Sequence, residues 1–234
     1  MLLVTVAVVM AAVMVALAGV ALAAVTPCPS TGGVCVGTNE PDQITGSLQL
    51  DRISALAGDD DVFARVGNDE VLAGAGGDEL HGDQGNDLLA GETDNDTYFG
   101  DRGNDTLTEG TTDASNDTMN GGANTDQMRG GGGDDTLIGQ DGDENLGAPE
   151  AVAMFGGLGN DVLRGGPGAD AMQGEAGTDQ HRGNTDNDFI DAAAGETTAT
   201  DAPDLVDCGD GVDTAVVRPN DDVLRNCETV RPAP

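Results

Sequence analysis

From residue 42 to residue 191 the chain repeats one short measure: an acid, one variable residue, a large apolar residue, then small and polar residues until the next acid. The apolar positions Ile44, Ile53, Val62, Val71, Leu80, Leu89, Tyr98 and Leu107 fall nine residues apart. After a three-residue slip the ladder resumes at Met119, Met128, Leu137 and Leu146, and then at Leu163, Met172 and Ile190. Met154 bridges the gap, and His181 is the one polar residue in the series. A surface helix needs three or four apolar residues in every two turns, so this period is not helical. It predicts a short strand followed by a tight turn, two such units per 18-residue coil, and coils stacked as parallel sheets. The predicted fold is all-β, a right-handed parallel β-roll or solenoid. Each coil buries only two large side chains, so a single coil is unstable and the stack must be long. Roughly sixteen units predict about eight coils and roughly 40 Å of solenoid.

The acids keep the same beat. Asp42, Asp51, Asp60, Asp69, Asp78, Asp87, Asp96 and Asp105 are followed by Asp117, Asp126, Asp135 and Glu144, and then by Asp161, Asp170, Asp179 and Asp188. With 33 aspartates in 234 residues, eight consecutive hits by chance have a probability on the order of 10⁻⁷. A single Asp in a turn is explained by a hydrogen bond to its own backbone. That reading accounts for neither the period nor the stacking of like charge 18 residues apart, which repels unless a cation lies between the turns. Calcium suits the pattern, because it takes six to eight oxygen ligands in irregular geometry and accepts backbone carbonyls beside carboxylates. Magnesium suits it less, being reluctant to dehydrate.

Composition sharpens this picture. The net charge is −34, there are 37 glycines and only five Phe and Tyr residues, and all nine basic residues are arginine. Such a chain pays heavily in backbone entropy and self-repulsion unless a cation folds it. Scattered arginines do not make a nucleic-acid surface, and an acidic surface does not suit anionic lipid.

The two ends differ from the middle. Residues 1–24 read as a signal peptide with a small-x-small site at Ala21-Leu22-Ala23, although no basic residue precedes the apolar run, and an uncleaved membrane anchor stays open. Both alternatives place the rest outside the cytoplasm. Four cysteines allow three pairings. Their positions at the two ends favour Cys28 with Cys35 and Cys208 with Cys227, and the absence of CxxC or a neighbouring histidine disfavours zinc. Residues 25–41 read as an N-terminal cap, 42–191 as the repeats, 192–206 as a linker and 207–234 as a C-terminal cap.

The units GGGGDDTL (130–137), GGLGNDVL (156–163) and GGPGADAM (165–172) resemble the repeats-in-toxin (RTX, haemolysin-type) nonapeptide, the calcium-binding parallel β-roll. The resemblance covers residues 37–191. It implies that turn carbonyls and the aspartate bind several Ca²⁺ ions between coils while the aliphatic residue points into the core. Carried over, the ligands are Gly130, Gly131, Gly133 and Asp135; Gly156, Gly157, Gly159 and Asp161; and Gly165, Gly166, Gly168 and Asp170. The remaining ladder acids join them: Asp60, Asp69, Asp78, Asp87, Asp96, Asp105, Asp117, Asp126, Asp179 and Asp188. The turns ending at Asp42 and Asp51 lack most glycines, so weak or empty sites are expected there. The segment DCGDGVDTAVVRPNDDVLRNCETV (207–230) resembles the closing segment of small secreted actinobacterial calcium-binding proteins.

Catalytic patterns are missing from the sequence. The two histidines lie 100 residues apart, which excludes HExxH, and there is no lysine for a phosphate loop and no GxSxG. The Asp141-Gly142-Asp143 run fails as an EF-hand at its sixth and twelfth positions, which are Leu146 and Val152. No small-molecule substrate is indicated. The sequence therefore reads as a secreted, non-enzymatic β-roll that binds calcium and folds on binding it. Its rivals are a cell-surface or adhesion module and an accessory remnant of a secreted hydrolase.

Overall fold

The computed structural model describes residues 24–110, 114–144, 153–195 and 203–233. The leader or anchor reading of residues 1–24 falls, Ala24 apart, outside the described residues, as does Leu146. Among the described residues there are 22 strands and no helix. The strands alternate between two 11-stranded sheets, odd-numbered strands in one and even-numbered in the other, and every pairing is parallel. The result is a parallel β-solenoid of about ten turns, roughly 50 Å long at ~4.8 Å per coil.

The apolar ladder forms the core in the predicted register. In one sheet Ile44 pairs with Val62, Val62 with Leu80, Leu80 with Tyr98, and Tyr98 with Met119. In the other, Ile53 pairs with Val71, Val71 with Leu89, Leu89 with Leu107, and Leu107 with Met128. These side chains point at one another between the sheets and are essentially inaccessible to water. Two residues further along each strand points inward again, and there the chain places Gly or Ala, such as Ala55, Ala64, Ala73, Gly82, Gly91 and Gly100. A large and a small residue per strand fill the narrow gap without clash. His181 stands in a core position between Leu163 and Val206, and burial pushes its imidazole down to about 4, holding it neutral. His81 faces outward and is stacked between Phe63 and Phe99, 4.7 Å from each ring.

The stack is longer than the nonapeptide count predicts. Strands Ala24–Pro27 and Gly33–Val36 add a coil at the start, and Leu205–Asp210, Thr214–Val217, Asp222–Arg225 and Thr229–Pro232 extend both sheets at the end. Disulfides Cys28–Cys35 and Cys208–Cys227 join these terminal coils, each with Cα atoms 5.3 Å apart. Cys35 and Cys208 are buried in the core. Each crosslink restrains a coil at one end of the described stack; disulfides of this kind are typically worth about 2–4 kcal/mol.

Candidate metal centres

Most strands are entered through an acid, and these acids form two columns along the edges of the roll. One column runs through Asp42, Asp60, Asp78, Asp96, Asp117, Asp135, Asp161, Asp179 and Asp204; the other through Asp51, Asp69, Asp87, Asp105, Asp126, Glu144, Asp170, Asp188 and Asp213. All are at least 97 % buried, a rare state for carboxylates without partners. Along most of each column an acid's N–H donates to Oδ1 of the acid one coil later; the ladder breaks at Glu144, whose two carboxylate oxygens accept no hydrogen bond. The distances are 2.7 Å for Asp60 to Asp78, 2.7 Å for Asp69 to Asp87 and 2.8 Å for Asp161 to Asp179. The same bond spans 21 residues at Asp96 to Asp117, 26 at Asp135 to Asp161 and 25 at Asp179 to Asp204. Insertions are thus carried in the turns while the columns stay in register.

The second carboxylate oxygen is the informative one. In Asp60, Asp69, Asp78, Asp87, Asp96, Asp105, Asp126, Asp161, Asp170, Asp179 and Asp188, Oδ2 is buried and accepts no hydrogen bond. A buried acceptor left unpaired costs about 1–3 kcal/mol, and more when charged. These oxygens therefore lack a partner that the protein itself does not supply. In the two opening turns it does: Thr38 N–H (2.5 Å) and Oγ1–H (3.0 Å) donate to Asp42 Oδ2, and Ser47 N–H (2.6 Å) to Asp51 Oδ2.

The glycines give the turns their shape. The first glycine of each turn clears the space into which the unpaired oxygen projects. A Cβ on Gly82 would lie 2.7 Å from Asp87 Oδ2 and 2.8 Å from the Gly100 carbonyl. A Cβ on Gly156 would overlap Asp161 Oδ2 and lie 2.6 Å from the Gly174 carbonyl; one on Gly130 would overlap Asp135 Oδ2 and lie 2.7 Å from the Gly156 carbonyl. One carboxylate oxygen and one carbonyl of the next coil thus converge on each hollow. Gly165 borders Asp170 in the same way. In the turns ending at Asp60, Asp69 and Asp78 the first position is Ala55, Ala64 or Ala73, whose methyl group occupies part of that hollow. The second position takes a positive φ, as in Gly131 (97°), Gly157 (122°) and Gly166 (144°). Non-glycine residues are held there too, including Asp83 (68°), Asp101 (70°) and Glu175 (74°), so the missing second glycine does not abolish the turn. At the fourth position Gly133, Gly159 and Gly168 also have positive φ, and a Cβ there would run into a carbonyl of the preceding coil.

Burial favours the protonated form of the interior acids. Burial raises Asp78, Asp87, Asp105 and Asp126 to about 7 and Asp96, Asp161 and Asp188 to about 8; the accepted N–H partly offsets this. The like charge of a neighbouring carboxylate in the column adds to the rise for Asp78, Asp87, Asp96 and Asp161.

Three features were not read from the sequence. Asp204 and Asp213 continue the two columns, but the irregular stretch after Asp191 hides their phase. The residue before each column acid, often Asn, forms an outer ladder with the opposite polarity. Asn86 N–H donates to Asn68 Oδ1 (3.1 Å), Asn104 N–H to Asn86 Oδ1 (3.0 Å) and Asn160 N–H to Asp134 Oδ1 (2.8 Å). The recurrent Asn-Asp pair is its signal. Glu109 occupies the first-glycine position of its turn and lies with Asp96 and Asp117, one carboxylate oxygen from each residue within 4.8 Å of the others. A charged residue in a column that the repeats otherwise fill with Gly and Ala marks it. Cys28, Cys35 and Asp51 are also close together, but both sulfurs are committed to the disulfide.

No curated protein matches the chain. The RTX calcium-binding nonapeptide repeat matches it in four copies, residues 36–71, 72–107, 111–145 and 154–180, which together cover more than half of the sequence. Repeat, solenoid and buried acid columns agree, and the chain belongs to the family of RTX calcium-binding nonapeptide-repeat proteins.

Proposed function

We propose that the protein is a secreted, non-enzymatic calcium-binding β-roll that folds when its columns are filled. The observation that supports this most is the row of buried Oδ2 atoms without donors, which at Gly82 and Gly156 project into a hollow that also receives a carbonyl of the next coil. The donor set is entirely hard oxygen, which suits Ca²⁺. The carboxylates of Asp87, Asp96, Asp105, Asp117, Asp126, Asp135, Asp161, Asp170, Asp179 and Asp188 hold the ions, with turn carbonyls of Gly130, Gly131, Gly133, Gly156, Gly157, Gly159, Gly165, Gly166 and Gly168 completing the shell. Asp60, Asp69 and Asp78 hold theirs more weakly, because an alanine methyl group narrows each hollow. The opening acids Asp42 and Asp51, whose Oδ2 atoms already accept from Thr38 and Ser47, take none.

A bound cation supplies positive charge where the protein has only negative oxygens. It turns the mutual repulsion of successive coils into cohesion. In a low-calcium compartment the same charge keeps the chain extended; millimolar external calcium then folds it, with affinities of roughly 10⁻⁴–10⁻³ M. The two disulfides fit an oxidising destination. Far-UV circular dichroism of the oxidised protein, titrated separately with CaCl₂ and MgCl₂, tests the proposal. A cooperative coil-to-β transition in calcium alone supports it. A β spectrum that persists in chelator at about pH 8, or coil at about 10 mM calcium, refutes it.

A further inference from the structure

In each ordinary turn the hollow over the first glycine receives a carboxylate oxygen of that turn and the main-chain carbonyl of the corresponding residue one coil on, as with Asp87 and Gly100 over Gly82. The hollow over Gly91 is built differently. A Cβ there would overlap Asp96 Oδ2 and Tyr98 Oη, and would lie 2.5 Å from Oε1 of Glu109, the residue one coil on from Gly91. A side-chain carboxyl oxygen replaces the main-chain carbonyl.

Glu109 is 95 % buried. Its Oε2 accepts the Gly110 N–H at 3.2 Å, and Oε1 has no donor. Asp96 Oδ2 also has none. Asp117 closes the group: its Oδ1 accepts the Asp96 N–H (2.8 Å) and its Oδ2 the Ser115 hydroxyl (3.3 Å). The Tyr98 hydroxyl accepts the Gly91 N–H (2.9 Å) and donates to the Thr108 carbonyl (3.4 Å), so it walls the hollow without pairing either open oxygen. Among the described residues this is the one group of three carboxylates brought within bonding reach of a single ion.

We infer that Asp96, Glu109 and Asp117 form a distinct, more highly charged cation site that prefers Ca²⁺ or a trivalent lanthanide and fills before the other sites of the roll. This rests on the proposed calcium-dependent folding. An added carboxylate raises the affinity of an oxygen-ligated calcium site by charge alone, and low dielectric amplifies the effect. The site also lies where a 21-residue coil interrupts the 18-residue series, so its ion ties together the two parts of the roll on either side of that insertion.

The protein carries its own reporter. Tyr98 is the only tyrosine and there is no tryptophan, so terbium bound in the Gly91 hollow is sensitised by Tyr98 at close range. The experiment titrates Tb³⁺ into the full-length oxidised protein under tyrosine excitation and compares wild type, Glu109→Gln and Glu109→Gly, with calcium-driven circular dichroism run in parallel on each. The expected result is an early tyrosine-sensitised phase in wild type whose midpoint rises about tenfold in both variants, while all three still fold in calcium. Glu109→Gly recreates an ordinary turn and guards against a folding defect peculiar to Gln. An unchanged sensitised midpoint in both variants overturns the inference, because a carboxyl that merely shares a proton with Asp96 is replaced by an amide without loss of metal. Absence of any calcium-driven folding in wild type would instead overturn the reading on which the inference rests.

Discussion

Asp87→Asn has opposite effects with and without calcium. Asp87 is 3 % exposed; its Oδ1 takes the Asp69 N–H at 2.7 Å, and its Oδ2 has no partner. Burial raises its carboxyl from 3.8 to about 7 in the fold. The folded state therefore binds a proton more tightly than the unfolded chain. Its stability is greatest below about pH 4 and is lost as pH rises through about 7. A rise of this size corresponds to roughly 4 kcal/mol, or about 2 kcal/mol after discounting for solvent screening. Three or four such acids match the roughly 5–15 kcal/mol that stabilises an ordinary domain, and the columns contain many more. Metal-stripped protein is therefore expected to be β-structured near pH 5 and unfolded near pH 8, with a midpoint between about 6 and 8. The introduced amide keeps the oxygen that the Asp69 N–H needs and carries no charge. The variant should gain about 2 kcal/mol over wild type in chelator near pH 7, read as a higher transition pH. In saturating calcium the same variant has lost a ligand and should melt earlier than wild type. Thermal melts by circular dichroism in both conditions check this. A destabilised variant in both conditions, or a metal-free wild type equally stable at pH 5 and pH 8, refutes the reasoning.

The other predictions are local. Gly156→Ala should weaken calcium binding and remove about one ion from the stoichiometry measured by equilibrium dialysis, because the new methyl group overlaps Asp161 Oδ2. Leu89→Ala, at a fully buried position, should cost about 2–5 kcal/mol in calcium-loaded melts, whereas Leu88→Ala, 40 % exposed, should stay within about 0.5 kcal/mol. Reducing Cys208–Cys227, which closes a 19-residue separation, should lower stability by roughly 2–4 kcal/mol and raise the calcium concentration needed to fold, as read by circular dichroism with and without reductant.

The nonapeptide period made most of the fold legible, because a single inward apolar residue in nine has one structural solution and its register is copied from coil to coil. Ile53, Val71 and Leu89 stack as the spacing requires. The ends were harder to read. Asp204 and Asp213 belong to the columns, but 16 residues separate Asp188 from Asp204, and pairing across sheets is a long-range event that local spacing does not reveal. The ligand pattern was legible as Asp plus glycine. The reason for glycine was not: Gly82 and Gly156 are empty of side chain so that an aspartate oxygen of the same turn has somewhere to go. Glu109 escaped notice because it sits outside the acid register, and only the stacking brings it beside Asp96 and Asp117.

The 21-, 25- and 26-residue coils have a consequence for how such a chain lengthens. Residues added between strands leave both acid columns aligned. Residues added as repeats obey parity. Two nonapeptides insert one full coil, whereas a single nonapeptide would transfer every downstream strand to the opposite sheet. Duplication in steps of eighteen therefore lengthens the rod with each strand kept in its own sheet.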